Sequence, residues 1–324
     1  MADHAVDDDA GDIFIYRGGQ APLHVTHVLI DKSVDEIEGG AFFHSKRLVQ
    51  VDTHDGIRKV GDRAFWGCKS LRLINLKSVV EIEERAFISC VNLESAEFGD
   101  RLETIGANAF YECTSLKHLK LPSIITIEDE AFRMCKSLID IELSERLETI
   151  EASAFSRCER LQRIVVPLKR DLFEFSDRSQ KYNQFDHSEQ LATVDLVGQA
   201  HMQTVASLHM ESWRTEMIAE INRINQVLPN TPAGEKTNEI KRWMDSVMDK
   251  FDHYTAEHYR HVKQGITILE LALWKAKLVE KEEHVAEGKP KKAKVDTESF
   301  RRDKRITCGA DMVIKNVLPF LQLE

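Results

Sequence analysis

The string AFWGCKSLRLINL, at residues 64–76, returns with few changes as AFYECTSLKHLKL at residues 109–121 and AFRMCKSLIDIEL at residues 131–143. Six such segments follow one another at steps of 22 or 23 residues. Their Ala-Phe pairs begin at Ala41, Ala64, Ala86, Ala109, Ala131 and Ala154. Each Ala is followed four positions later by Ser or Cys and seven positions later by Leu. This periodicity predicts a repeat protein, in which neighbouring repeats bury a shared core.

Each repeat combines two spacings. In residues 64–76 the Ala, Phe, Cys and Leu lie at i, i+1, i+4 and i+7, which predicts one face of a short helix. The L-x-x-I-x-L run that ends the segment is typical of a strand laid along a solenoid. Degenerate copies at 25–37 and 185–196 extend the pattern to eight strands. The last copy carries an insertion, which we place within 168–182, and residues 13–16 are expected to form an N-terminal cap.

These residues resemble the BspA-like leucine-rich repeats, whose pattern is roughly I-x-x-x-A-F-x-x-C-x-x-L-x-x-I-x-L-P. The resemblance covers about residues 20–198. It departs from the commonest leucine-rich repeat, which has an Asn shortly after the strand, because apolar residues such as Val79 and Ile124 stand there. The resemblance implies a curved solenoid that binds other molecules, and it implies no catalytic residue. We therefore expect an α/β repeat solenoid of about eight strands with one short helix per repeat.

Side chains on the solvent side of the predicted strands form three columns of variable, mixed charge. Glu97, Lys120 and Glu142 are expected to be neighbours of opposite charge in adjacent repeats. We assign a protein partner to this strand face. The assigned residues are Arg72, Asn75, Glu94, Glu97, Lys117, His118, Lys120, Asp140, Glu142, Gln162 and Arg163. The alternative, that the face is merely solvated, stays open at this stage.

Two groups of residues could suggest a metal site. Five cysteines recur in one column, at Cys68, Cys90, Cys113, Cys135 and Cys158. We interpret them as small buried residues, because the paired C-x-x-C and His spacing of zinc sites is missing. His253, Glu257 and His261 lie at i, i+4 and i+8 and are interpreted as a polar helix face, because the Glu-x-x-His pairs of di-metal bundles do not recur. The sequence predicts no metal site and no cofactor.

After the repeats, apolar residues adopt helical spacing, which predicts an all-α, hairpin-like tail. One helix is predicted from Met210 to Leu228 and a second from about Glu235 to His284. The second would be about 75 Å long, whereas eight repeats span about 38 Å. It therefore projects beyond the solenoid, bends near Gly265, or pairs with a second copy as a homodimer. The predicted divisions are 1–19 (acidic segment and cap), 20–198 (solenoid) and 199–324 (helical region).

Charge is unevenly shared along the chain. Residues 1–199 hold 24 Lys and Arg against 35 Asp and Glu, a net of −11, and residues 200–324 hold 20 against 19, a net of +1, which gives the total of −10. An acidic repeat region argues against nucleic acid as a partner, because phosphates need a basic field. No stretch approaches the roughly 18 apolar residues of a membrane span, and the acidic start does not resemble a secretory signal. We expect an intracellular protein, cytoplasmic or nuclear, with no membrane partner.

A basic cluster near the C-terminus is a candidate nuclear-import signal of the K-K-x-K type. Its residues are Lys289, Lys291, Lys292 and Lys294, beside Pro290. A short basic segment in a loop suits an import receptor. A solvated linker is the alternative.

The sequence lacks the phosphate-binding, dinucleotide-binding, nucleophile-elbow and zinc-protease motifs. We therefore predict that the protein is not an enzyme. The predicted function is a protein–protein interaction module that presents its strand face to a partner. The alternative is a structural or nuclear adaptor, or an oligomeric scaffold, that acts mainly through the helical tail.

Overall fold

The computed structural model describes residues 13–173, 183–197, 205–208 and 210–286. Its contacts divide the chain into two compact units, each considered by itself below. The first comprises Met1–His201 and Ile218–Met248, and the second comprises Met202–Met217 and Asp249–Glu324. The middle of the helical region thus belongs to the same unit as the repeats. The three predicted divisions of the chain stay predictions.

Two series of parallel strands run through the repeats. The first series consists of β1 (Ile13–Tyr16), β2 (His27–Ile30), β4 (Gln50–Asp52), β6 (Leu73–Leu76), β8 (Ser95–Phe98), β10 (His118–Lys120), β12 (Asp140–Glu142), β14 (Arg163–Val166) and β15 (Thr193–Leu196). These form a five-stranded sheet, β1-β2-β4-β6-β8, and a four-stranded sheet, β10-β12-β14-β15. The eight predicted strands are all present, and the predicted cap supplies the ninth, β1, which pairs with β2.

The second series consists of six two-residue strands that form a second parallel sheet. Its members are β3 (Glu36–Ile37), β5 (Lys59–Val60), β7 (Glu81–Ile82), β9 (Thr104–Ile105), β11 (Thr126–Ile127) and β13 (Thr149–Ile150). The second residue of every strand is Ile or Val and is fully buried. Each repeat therefore contributes one strand to each of two sheets, and the apolar residues between them fill the core.

The segment with the Ala-Phe pair is a tight turn, and the predicted short helix is absent from every described repeat. A residue in the left-handed region precedes each Ala, and a second one follows three positions after it. In one repeat these are Arg85, with φ of 60°, and Ser89, with φ of 55°. Left-handed residues cannot continue a right-handed helix. The i, i+1, i+4, i+7 spacing therefore arises from a turn closed at both ends.

Backbone N–H groups of the turn donate hydrogen bonds to the next repeat. The N–H of Phe87 donates to the carbonyl of Ala109 at 2.7 Å, instead of closing a helical turn. The same bond is made by Phe42 to Ala64, Phe65 to Ala86, Phe110 to Ala131, Phe132 to Ala154 and Phe155 to Gln184. The left-handed residue after the Phe does likewise, as in Ser89 to Tyr111 at 2.9 Å. A ladder of backbone hydrogen bonds thus joins the turns of consecutive repeats.

The side chains of these phenylalanines form a continuous buried stack. From Phe42 to Phe185, neighbouring rings are nearly parallel, with centroids 4.9 to 5.8 Å apart. Tyr16 of β1 lies at the start of the stack, 5.0 Å from Phe42. Ring contacts of this kind contribute beyond the area they bury, so the stack couples each repeat to both neighbours.

The cysteine column lies beside the stack and is buried. Each Sγ donates to the carbonyl of the Phe in the preceding repeat, over 3.1 to 3.3 Å. Ser188 makes the same bond to Phe155 at 2.9 Å. Burial raises the pKa of Cys68 and of Cys135 to about 12. The thiols act as hydrogen-bond donors inside the core, which agrees with the interpretation of these cysteines as small buried residues.

Two helices, α1 (Glu211–Val227) and α2 (Lys236–Ala286), follow the repeats, joined by short 3-10 turns at Leu228–Asn230 and Ala233–Glu235. Both helices lie where the apolar spacing predicted them, and α2 continues through Gly265 without a break. The proline-rich connection between them ends α1, as expected from the missing N–H of proline.

Lys236, the first residue of α2, docks on the last repeat. It is only 1% exposed, and its ammonium donates to the carbonyls of Glu189, at 2.8 Å, and Leu191. Desolvation lowers the pKa of Lys236, and the charge of Glu189 opposes this effect. The lysine can be buried because backbone carbonyls accept hydrogen bonds from its ammonium group.

Further hydrogen bonds from the helical region close the same end of the solenoid. The N–H of Phe185 donates to Oγ1 of Thr237 at 3.3 Å, and the N–H of Val194 donates to Oδ1 of Asn225 at 2.8 Å. In an inner repeat, these backbone groups would meet another repeat. The helical side chains satisfy them here, so this region is a C-terminal cap.

In the second unit, the helices contact each other through aromatic residues. Trp213 stacks on Tyr254 with centroids 5.2 Å apart. The hydroxyl of Tyr254 donates to Glu216. Burial and the neighbouring carboxylate raise the pKa of Tyr254 to about 12. The tyrosine therefore keeps its proton at neutral pH and holds the two helix segments together.

Replacing Lys236 with Ala should lower the free energy of unfolding by about 1.5–3 kcal/mol, because two carbonyls lose a charged donor. Lys241→Ala is the matched control. Lys241 lies 3.5 Å from Asp171, whose side chain is 95% exposed, and its loss should cost less than about 0.5 kcal/mol. Urea denaturation followed by circular dichroism measures both. Equal losses would contradict the capping role of Lys236.

The cysteine column should not react in the native protein. At pH 8, a thiol with a pKa of about 12 is ionised in roughly one molecule in ten thousand. In a Cys308→Ser chain, Ellman's reagent should find no reactive thiol before unfolding and all five column cysteines in guanidinium. Rapid native labelling of any of the five would show that the column is open to solvent.

Candidate functional site

The strand face is the surface on which the sequence placed a partner. The pairing of β10, β12 and β14 sets His118, Asp140 and Arg163 opposite one another, and sets Lys120 opposite Glu142. The same register aligns the corresponding positions of the N-terminal strands. All eleven assigned residues are exposed or half-buried. The strands thus present these side chains to solvent in columns.

The C-terminal half of the face is a network of hydrogen bonds and ion pairs. His118 Nδ1 lies 2.8 Å from a carboxylate oxygen of Asp140, and Lys120 Nζ lies 3.3 Å from Glu142. Arg163 contacts Asp195 at 2.7 Å. Arg163 also lies 3.8 Å from Glu142. These charges are satisfied within the protein, and a partner that covered them would have to desolvate them.

Glu97 and Lys120, which are predicted to be neighbours, do not form an ion pair with each other. Glu97 instead pairs with Lys77, at 2.7 Å. The strands explain the difference, because β8, which carries Glu97, and β10, which carries Lys120, belong to different sheets and are not paired. The predicted pair of Lys120 with Glu142 is present, since β10 and β12 are paired.

The N-terminal half of the face carries an apolar patch that was not assigned from the sequence. The patch consists of exposed apolar side chains on or next to four strands, with the polar side chains of Gln50 and Asp52 on β4 between those of β1 and β2 and that of Leu73. Its members are Ile13, Ile15, Leu29, Val49 and Leu73. Ile13 is 67% exposed and Leu73 56%, and Ile15 of β1 lies directly opposite Leu29 of β2. The signal was available as apolar residues at outward positions of the strands. It was weak because charged residues dominate the same columns elsewhere.

Polar residues surround this patch. Arg17 lies 3.3 Å from Asp31, whose pKa is lowered to about 2 by hydrogen bonds from Ser33 and from Arg17. Arg72 and Glu94 occupy the outer column beside Leu73, and neither side chain has an ion pair within the described part of the chain. An apolar centre with a polar rim is the usual arrangement of a protein-binding surface.

The remaining candidates show no convergent chemistry. Among residues 13–173, 183–197, 205–208 and 210–286, no group of His, Cys, Asp and Glu could hold a metal ion. His253 contacts the Tyr254 ring at 5.5 Å, and His261 lies 6.3 Å from Trp213, so both histidines take part in aromatic packing. Within the same ranges, no helix has the length and hydropathy to cross a bilayer. Lys289, Lys291, Lys292 and Lys294 lie outside the described residues.

Comparison with solved structures finds similarity to leucine-rich repeat proteins from bacteria. A leucine-rich repeat protein from T. pallidum is 29% identical, with a TM-score of 0.42, over 50% of this chain and 77% of that one. A leucine-rich repeat protein from Eubacterium ventriosum is 26% identical, with a TM-score of 0.40, over 44% of this chain and 40% of that one. No curated protein matches the chain.

The family model for the BspA type leucine-rich repeat region matches six copies, over residues 21–98 and 70–188. The matched residues cover the whole series of Ala-Phe turns and more than half of the chain. Leucine-rich repeat proteins generally serve as protein-interaction modules. The phenylalanine stack, the in-register cysteines and this match show that the chain belongs to the family of BspA-type leucine-rich repeat proteins.

Proposed function

We propose that this protein is a non-catalytic interaction module that binds a polypeptide through the N-terminal half of its strand face. The observation that carries this proposal is the exposed apolar patch on an otherwise charged surface. A rigid array of paired strands holds the patch in place. Binding therefore requires little ordering of the protein.

The two halves of the strand face differ in the binding free energy that a partner would gain by covering them. Covering one of the half-exposed Leu or Ile side chains contributes about 1 kcal/mol, roughly half of the value for burying a fully exposed one. Covering the ion pairs of Lys120 and Arg163 contributes little, because desolvation offsets the attraction. We therefore place the energetic centre of binding on the patch. The charged half then contributes orientation and selectivity.

The rim indicates the chemistry of the partner. Arg72 would face a carboxylate, whereas Glu94 and Asp52 would face basic groups. The repeat region as a whole has a net charge of −11 over residues 1–199, from 24 basic and 35 acidic residues. A polypeptide with apolar side chains flanked mainly by Lys or Arg fits this surface. Gln162 and Lys117 are exposed in the same outer column and extend the contact.

The alternative function acts through the helical tail, as a structural or nuclear adaptor or scaffold. It is favoured by large exposed apolar residues in α2, among them Leu269 and Trp274. The basic cluster around Lys291 would serve as the nuclear-import signal. In either case we propose an intracellular location, cytoplasmic or nuclear.

Exchanging Leu29 and Leu73 for Asp should weaken partner binding at least tenfold, because two apolar contacts are lost. The matched control is Lys120→Ala with Glu142→Ala, which should change the affinity less than threefold. Proteins captured by cross-linking to the full chain would be purified, and their affinity for each variant measured by calorimetry. A third variant, Leu269→Asp with Leu273→Asp, tests the tail. Unchanged affinity in the patch variant, with loss in either other variant, would contradict the proposed site.

A further inference from the structure

The second half of α2 has a continuous apolar seam. Its residues are Tyr259, Val262, Ile266, Leu269 and Leu273, at steps of 3, 4, 3 and 4. This is the spacing of a helix that packs along a second helix. Leu269 is 64% exposed and Leu273 62% exposed, so the described residues of the chain leave this end of the seam uncovered.

Neighbouring side chains widen the open surface. Ile268, Leu271 and Trp274 are also more than half exposed. A helix that is apolar on most sides is usually buried, and a large contiguous apolar surface marks an interaction site. This part of α2 therefore needs a partner that covers several turns, and the seam from Tyr259 to Leu273 is about 21 Å long.

The charges beside the seam indicate what covers it. Lys263 follows Val262, and Glu270 follows Leu269, so both flank the same side of the seam. Neither side chain has an ion pair within the described residues of the chain. Their spacing of seven residues is too large for a contact along one helix, where neighbours are three or four apart. Lys263 therefore has no acidic partner, and Glu270 no basic partner, among the described residues of its own helix.

An antiparallel second copy of α2 supplies both charges at once. When Ile266 packs against Leu269 of the partner subunit, Val262 packs against Leu273 of the partner subunit. Lys263 then faces Glu270 of the partner subunit, and the two-fold axis repeats the pair. In a parallel arrangement Glu270 would face Gly265, which offers no charge.

We propose that a second copy of this chain covers the seam in an antiparallel pairing of α2, with two symmetric ion pairs between Lys263 and Glu270. The proposal is independent of the strand face. It selects homodimerisation from the three alternatives that the length of α2 left open. The dimer would carry two strand faces, which increases the apparent affinity for a partner with repeated binding segments.

Charge reversal tests the pairing in the full chain. By light scattering after size exclusion, the protein should have twice the mass of its 37.1 kDa chain. Lys263→Glu alone and Glu270→Lys alone should each weaken the dimer at least tenfold, because like charges then face each other. An equimolar mixture of the two single variants, and the double variant, should both recover the dimer. Circular dichroism would check that each variant keeps its helix content.

If something other than a second copy of α2 covered the seam, the experiment would give a different result. If residues 312–318, whose sequence is MVIKNVL, covered the seam within one chain, the protein would be monomeric at all concentrations. A dimer that persisted in Leu269→Asp with Leu273→Asp would place the contact elsewhere. Failure of the mixture to recover the dimer would exclude the antiparallel register. Any of these three results would overturn the proposal.

Discussion

The structure depends on hydrogen bonds that run from one repeat to the next. A turn bounded by left-handed residues cannot close its own hydrogen bonds as a helix does, and its N–H groups would be costly to bury unpaired. The next repeat accepts them, as Ala109 accepts from Phe87. Because the same repeats also stack their phenylalanines and cysteines, no repeat is stable alone. This mutual dependence explains why the chain needs caps at both ends.

The caps differ because the two ends expose different groups. At the N-terminus, β1 adds a strand to β2 and Tyr16 begins the aromatic stack. At the C-terminal end of the solenoid, side chains of the helical region form hydrogen bonds with the backbone of the last repeat. Among them, the ammonium group of Lys236 donates to two backbone carbonyls. The helical region that covers this end is therefore part of the solenoid's fold. For this reason the function of the tail is better tested by surface substitutions than by deletion at the predicted boundary.

The sequence predicted the strands well and the turns poorly. The strand positions follow from alternation between buried and outward side chains, which leaves a clear pattern over eight repeats. The turns contain Arg85, Asn108 and Glu130 in the left-handed region, where residues other than glycine give little sequence signal. Their spacing coincides with that of a helix, so the pattern alone could not separate the two.

The candidate site was predictable only in part, for similar physical reasons. The columns on the strand face follow from the repeat register. Whether two outward side chains pair across neighbouring strands depends on the local strand pairing, and β8 and β10, which carry Glu97 and Lys120, are not hydrogen-bonded into one sheet. The apolar patch consists of single residues on several strands, and their outward positions are a weak sequence signal because charged residues dominate the same columns elsewhere. The surface that we propose for binding is therefore a property of the fold more than of any local motif.

Amide hydrogen exchange tests the coupling between repeats most directly. If the turns are joined as described, the amides of Phe65, Phe87 and Phe110 should exchange only through global unfolding. Their protection should then equal the free energy of unfolding from urea denaturation, and should be the same in all three repeats. Exchange of these amides within minutes, or protection that differed widely between neighbouring repeats, would contradict the account.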